Sequence, residues 1–84
     1  MTTPKAVPPR AIAVAETIRI AYNELEIAGV LRLFEKRELI SKWTVECESS
    51  TTWRVWFTVS TGERIIGLFM YRSQSGITYN LEVS

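Results

Sequence analysis

Apolar residues along this chain fall into two regimes. From Arg10 to about Arg37 they recur every three or four positions, and from Trp43 to Val83 every second position. These are the helical and the strand periods. In the first regime Ala11, Val14, Ile18, Ala21, Tyr22, Leu25 and Ala28 share one stripe at 100° per residue. Glu16, Arg19, Asn23 and Glu26 lie well away from it, as an amphipathic helix requires. No proline interrupts the stretch, and Ala, Leu, Ile, Glu and Arg dominate it. Pro9 stands just ahead, where the first helical turn tolerates it.

A second stripe complicates this helix. Ile20, Ile27, Leu31 and Phe34 follow one another at helical spacings and point nearly opposite to the first set. A helix lying on one sheet needs only one stripe. Either the chain bends near Gly29, a poor interior residue, and turns its later face onto the same core, or the helix is continuous and its far face meets another chain. Length bears on the choice. An unbroken helix from Arg10 to Arg37 spans about 42 Å at 1.5 Å per residue, whereas a compact chain of this size is roughly 30 Å across. The overhang calls for a bend or a second subunit.

Beyond Leu39 the alternation marks four strands. Trp43, Val45 and Cys47 alternate with Lys42, Thr44, Glu46 and Glu48, and a second run spans Thr52 to Val59. Arg64 to Arg72 and Ile77 to Val83 follow, with polar or glycine-bearing turns between all of them. Closing Ser60–Glu63 as a hairpin on the two residues Thr61-Gly62 pairs Phe57 with Ile66, Val55 with Leu68 and Trp53 with Met70. That register makes one wholly apolar face, on which the helix packs. The expected fold is two-layer α+β: an N-terminal helix, bent near Gly29 or continuous, on a four-stranded antiparallel β-meander. Residues 1–9 hold all three prolines and read as a flexible arm, leaving 10–84 as a single domain.

The same register sets the other face. Trp56 then lies across from Gly67 with Ile65, Phe69 and Tyr71 nearby, and Arg54 lies across from Phe69. An aromatic ring over a cross-strand glycine and an arginine over a ring both stabilise sheets. So many apolar residues on a face expected to be wet also mark a contact site.

Composition narrows the chemistry. The chain has no His, and all nine of its acids are Glu. It therefore lacks a Ser-His-Asp or Cys-His constellation, an imidazole metal site and the aspartates that usually hold Mg²⁺ in phosphoryl transfer. Four glycines form no phosphate-binding loop. The single Cys47 lies on the core side of its strand and reads as a small buried core residue. Glu46 and Glu48 read as a solvated strand edge. These features point away from catalysis and from any bound cofactor. A lone cysteine allows no internal disulfide, no apolar run is long enough for a membrane, and Ala11–Ala15 is too short for a secretion signal. The expected compartment is the cytoplasm.

Three functions remain, all non-catalytic. The leading one is a protein-interaction module that forms a homodimer, with Trp56, Ile65, Phe69 and Tyr71, or Ile20, Ile27, Leu31 and Phe34, at the interface. Its partners are a second copy of itself and, secondarily, another protein. The second is a nucleic-acid binder using Arg54, Arg64, Trp56 and Phe69 as a basic and aromatic sheet face. A net charge of only +1 weighs against it, as do Glu35, Glu38, Glu46 and Glu48 interleaved with Arg32, Lys36, Arg37 and Lys42. The third is a binder of a small apolar ligand between helix and sheet.

Overall fold

The computed structural model of the chain describes residues 6–21 and 23–84. Most of the prolyl arm, and Tyr22 of the first stripe, lie outside the described residues. Two helices, α1 (Pro9–Ile18) and α2 (Glu24–Lys36), precede four strands, β1 (Ile40–Ser49), β2 (Thr52–Val59), β3 (Arg64–Arg72) and β4 (Gly76–Val83). The strands form one antiparallel sheet in the order β1-β2-β3-β4. Both helices lie on one face of it, which is the expected α+β meander. The described residues measure 37 × 34 × 19 Å along their principal axes.

The helical region is interrupted between Ile18 and Glu24, ahead of Gly29, which lies within α2. Local chemistry explains the position. The Asn23 side chain accepts a hydrogen bond from the Glu26 N–H at 2.9 Å, capping α2, and Asn23 and Glu26 stand at the capping-box spacing. A strong N-cap starts a new helix more decisively than a mid-helix glycine ends one. The break reorients the two stripes so that both meet one core. Ala11, Val14, Ile18 and Ala21 face it from the first, and Ile27 and Leu31 from the second. Leu25, assigned to the first stripe by period, is instead 80% exposed in the first turn of α2.

The C-terminus of α2 is closed by a Schellman arrangement. Leu39 N–H donates to Phe34 O at 3.0 Å and Glu38 N–H to Glu35 O at 2.9 Å, with Glu38 at φ 60°. Glycine is the usual occupant of that left-handed position because a Cβ is strained there. The turn delivers Ile40 directly into β1, which bulges at once: Lys42 adopts φ 51° and one extra residue intervenes between Ser41 and Thr44.

The β2–β3 register differs by one residue from the two-residue-loop expectation. Val59 N–H donates to Glu63 O at 2.9 Å and Gly62 N–H to Val59 O at 2.8 Å, so the loop is Ser60–Gly62 with Gly62 at φ 103°. This is the three-residue hairpin whose last loop position takes the left-handed conformation. Phe57 therefore pairs with Ile65, Val55 with Gly67 and Trp53 with Phe69. A one-residue slip exchanges the two faces of a strand. Ile65 and Phe69 are thus fully buried beneath the helices, and the alternate residues Ile66, Leu68 and Met70 point the other way. Gly67 faces the core across from Val55, not across from Trp56. Its hydrogen fills the only space available, since a Cβ there would lie 2.7 Å from the Phe69 ring and 2.9 Å from Leu81 Cδ2.

Two outcomes test this account of the fold by urea unfolding. Gly67→Ala should lower stability by about 1–3 kcal/mol, because the buried Phe69 ring must move. Glu38→Gly should raise it by roughly 0.5–1 kcal/mol by relieving the left-handed strain.

Candidate interaction surface

With both helices on one side, no described helix or strand covers the opposite, bare face of the sheet. Its centre is Trp56 on β2 beside Ile66, Leu68 and Met70 on β3, all half-buried. Trp56 pairs directly with Ile66, and Arg54 with Leu68. The rim is polar: Thr44 and Glu46 on β1, Thr58 and Arg64 at one end of the central strands, and Thr78, Asn80 and Glu82 on β4. A shallow depression of about 350 Å³ opens between Arg54, Ile66, Leu68, Asn80 and Glu82. An apolar centre within a polar rim is the anatomy of a protein contact.

Of the residues expected at this surface, Trp56 is there. Ile65 and Phe69 are not: both belong to the chain's own core for the reason of register given above. Tyr71 lies at the far end of β3 and is 44% exposed. On the helical stripe, Ile27 and Leu31 are also fully buried, and Phe34 is half-buried against the same core. Ile27 and Leu31 therefore offer no face to a second chain, whereas Phe34 also lines a surface depression with Thr17, Leu33 and Arg37. Ile20, in the turn after α1, is 75% exposed. Ile20 and Tyr71 meet at a depression of about 270 Å³ shared with Arg19, Ala21, Gly76 and Ile77. Ile66, Leu68 and Met70 are the surface residues that sequence reasoning put in the core. β3 is apolar at six successive positions apart from Gly67, so its own pattern names no buried side. The signal that could have located them is Ser60-Thr61-Gly62, whose glycine stands third, as a three-residue hairpin requires.

The nucleic-acid constellation is divided by the sheet. Phe69 is on the buried face, while Arg54, Trp56 and Arg64 are on the bare one. Arg54 is already engaged: its Nε lies 2.8 Å from Glu48 Oε1, and its guanidinium sits 6.0 Å from the Trp56 ring rather than over Phe69. Arg32 of α2 lies in turn over Trp43, at 5.8 Å. Cys47 is exposed, not buried, although it is on the helix side of β1. It occupies the end of the strand that the helices do not cover, where its Sγ bonds to Ser49 O at 3.0 Å. No group of three His, Cys, Asp or Glu side chains among the described residues could hold a metal ion. No described helix is long and apolar enough to cross a membrane.

A polar cluster ties α1 to the free edge of the sheet. Tyr79 hydroxyl donates to Glu16 Oε2 at 2.7 Å, Arg19 Nη1 lies 3.2 Å from the same carboxylate, and Arg19 Nε donates to Ile77 O at 3.2 Å. The bond from Tyr79, and secondarily Arg19, holds the Glu16 carboxyl below the usual carboxylate range. That same bond, with some burial, raises the Tyr79 hydroxyl above its ordinary value. At the other end of α1, Arg10 donates to the Ser60 hydroxyl in the β2–β3 loop.

Comparison with protein-family models, with curated proteins and with solved structures returns no match.

The Glu16–Tyr79 bond carries a pH signature with a definite sign. A carboxyl whose pKa is depressed on folding adds stability above its unfolded value, and that stability is lost as pH falls through the folded value. A phenol whose pKa is raised adds stability below its unfolded value, lost as pH rises through the folded one. The contact therefore helps across the neutral range and fades at both ends. Tyr79→Phe should lower the melting temperature at neutral pH, and the difference from wild type should shrink as pH falls below the carboxylate range, as thermal melts over that interval would show.

Proposed function

We propose that this chain is a non-catalytic protein-interaction module that works as a homodimer, with the bare sheet face as its contact surface. One observation carries the reading: Trp56, Ile66, Leu68 and Met70 cluster at the centre of a face that no helix covers. Exposed apolar patches of this kind on small proteins generally mark contacts. On the helix-side stripe, by contrast, Ile27 and Leu31 are already used inside the chain.

A second copy suits the patch better than a polyanion does. The acids Glu46, Glu48 and Glu82 offset the bases Arg54, Arg64 and Arg72 across this face and its margins, so no one-sign field repels an identical surface. Area sets the expected strength. Four strands about 4.8 Å apart and about eight residues long at 3.3 Å each cover roughly 500 Å² per copy. Two copies then bury about 1,000 Å², the lower bound for a specific interface. Such a dimer is concentration-dependent, and a charge at its centre should abolish it.

Light scattering behind a sizing column decides the matter. The wild-type chain at the higher of two loadings should have a mass of two chains or a multiple of it, with no nucleic-acid absorbance. Trp56→Glu, with unchanged far-UV circular dichroism, should have half the wild-type mass at equal loading. A wild-type mass equal to one chain, or a Trp56→Glu mass equal to wild type, overturns the assignment.

A further inference from the structure

The two edges of the sheet are treated differently by this sequence. β1 is defended: its register breaks twice against β2, Lys42 takes a left-handed conformation, and Lys42, Glu46 and Glu48 charge it. Bulges and charges of this kind keep foreign strands off an exposed edge. β4 carries neither defence. It pairs with β3 without a register break from Gly76 to Val83, has no proline, and bears only Glu82 as a charge.

The direction of its main-chain groups follows from the ladder. Ser84 N–H donates to Arg64 O at 2.8 Å. By the antiparallel alternation, the main-chain groups of Thr78, Asn80 and Glu82 then face β3, and those of Ile77, Tyr79, Leu81 and Val83 face outward. Arg19 Nε occupies one of the outward groups, the Ile77 carbonyl. Besides the Ile77 N–H, what remains along the edge is the N–H and C=O of Tyr79, Leu81 and Val83.

We infer that this edge takes β4 of a second copy, antiparallel, about a two-fold axis at Leu81. That centre is selected by Arg19. An axis at Tyr79 or Asn80 would pair Ile77 main-chain groups, one of which is already bonded, whereas an axis at Leu81 uses the three unengaged residues alone. Leu81 then faces the partner's Leu81, and Tyr79 faces the partner's Val83, which gives six main-chain hydrogen bonds by symmetry. The side chains suit the same register. Tyr79, Leu81 and Val83 are half-buried on the helix side and gain apolar cross-strand neighbours. On the bare side Asn80 comes beside the partner's Glu82, an amide against a carboxylate with no acid facing an acid. The contact is isologous, so it closes on two copies. It goes beyond the face contact proposed above and does not depend on it.

Amide hydrogen exchange reads this edge directly. At a concentration where the chain associates, the amides of Tyr79, Leu81 and Val83 should exchange on the order of tenfold slower than in dilute solution, equivalent to about 1.4 kcal/mol. Asn80→Glu places an acid opposite the partner's Glu82 and should return those three amides to the dilute rate. Adding Glu82→Lys to Asn80→Glu restores opposite charges and should restore the slow exchange. The amides of Thr78, Asn80 and Glu82, or of the residues that replace them, point into the sheet and should stay protected in each variant, which shows that the fold is intact. Three amides that stay fast in the wild-type chain at high concentration overturn the inference, and point to a different protein or nothing at this edge. If the mass then still halves in Trp56→Glu, the face contact stands alone. If the three amides are slow in both wild type and Trp56→Glu while their masses are equal, the edge stands and the face assignment fails. Slow exchange that Asn80→Glu leaves untouched also overturns the register.

Discussion

The loop at Ser60–Gly62 decides which side of β3 the helices cover. Gly62 at φ 103° completes a three-residue turn, with Val59 N–H bonded to Glu63 O. From that bond outward, β2 and β3 are in register and every side chain on β3 is committed to a face. Ile65, Gly67 and Phe69 go under the helices, and Ile66, Leu68 and Met70 go to the bare side. A two-residue loop would have reversed both sets at once, because side chains alternate with a period of two. The candidate contact surface is therefore a consequence of turn geometry.

The helical layer is arranged to suit the face so chosen. Gly67 leaves a space on the helix side that the Phe69 ring occupies, and Phe69 packs against Tyr79 with ring centroids 5.6 Å apart. Tyr79 in turn reaches Glu16 on α1. α1 is thus anchored at Ser60 by Arg10 and at β4 by Glu16 and Arg19, while α2 fills the core above the neighbouring strands through Ile27 and Leu31. Two short helices accomplish what one long helix could not, since each lays its own stripe on a sheet that is only four strands wide.

This arrangement separates the core from the bare face. Every fully buried side chain belongs to the helices or to the helix side of the sheet. The bare face carries a tryptophan and three aliphatic or thioether side chains, each only half-buried. The same separation applies to the edges. β1 carries bulges and charges that make pairing there unfavourable, and β4 carries a regular ladder on which, among the described residues, Arg19 intrudes at Ile77. Arg19 therefore joins the helical layer to the one sheet border that is left unguarded.

Much of the fold was legible in the residues alone, because periodicity is a local property. Four short runs rich in β-branched and aromatic residues, separated by turn residues, read as successive antiparallel strands, and two opposed helical stripes had to meet either one core or two. The break between the helices is also written locally, in Asn23 and Glu26, whereas Gly29 lies within α2. The face assignment of β3 was not legible in β3. Ile65 through Met70 is apolar on both sides, so period-two reasoning has no contrast to work with, and the choice passed to a single turn. Burial of Ile27 and Leu31, exposure of Cys47, and the meeting of Ile20 with Tyr71 were decided only when the elements packed. The physical reason is the same throughout: a sequence pattern states which residues share a face, but only the tertiary contacts determine which face is covered.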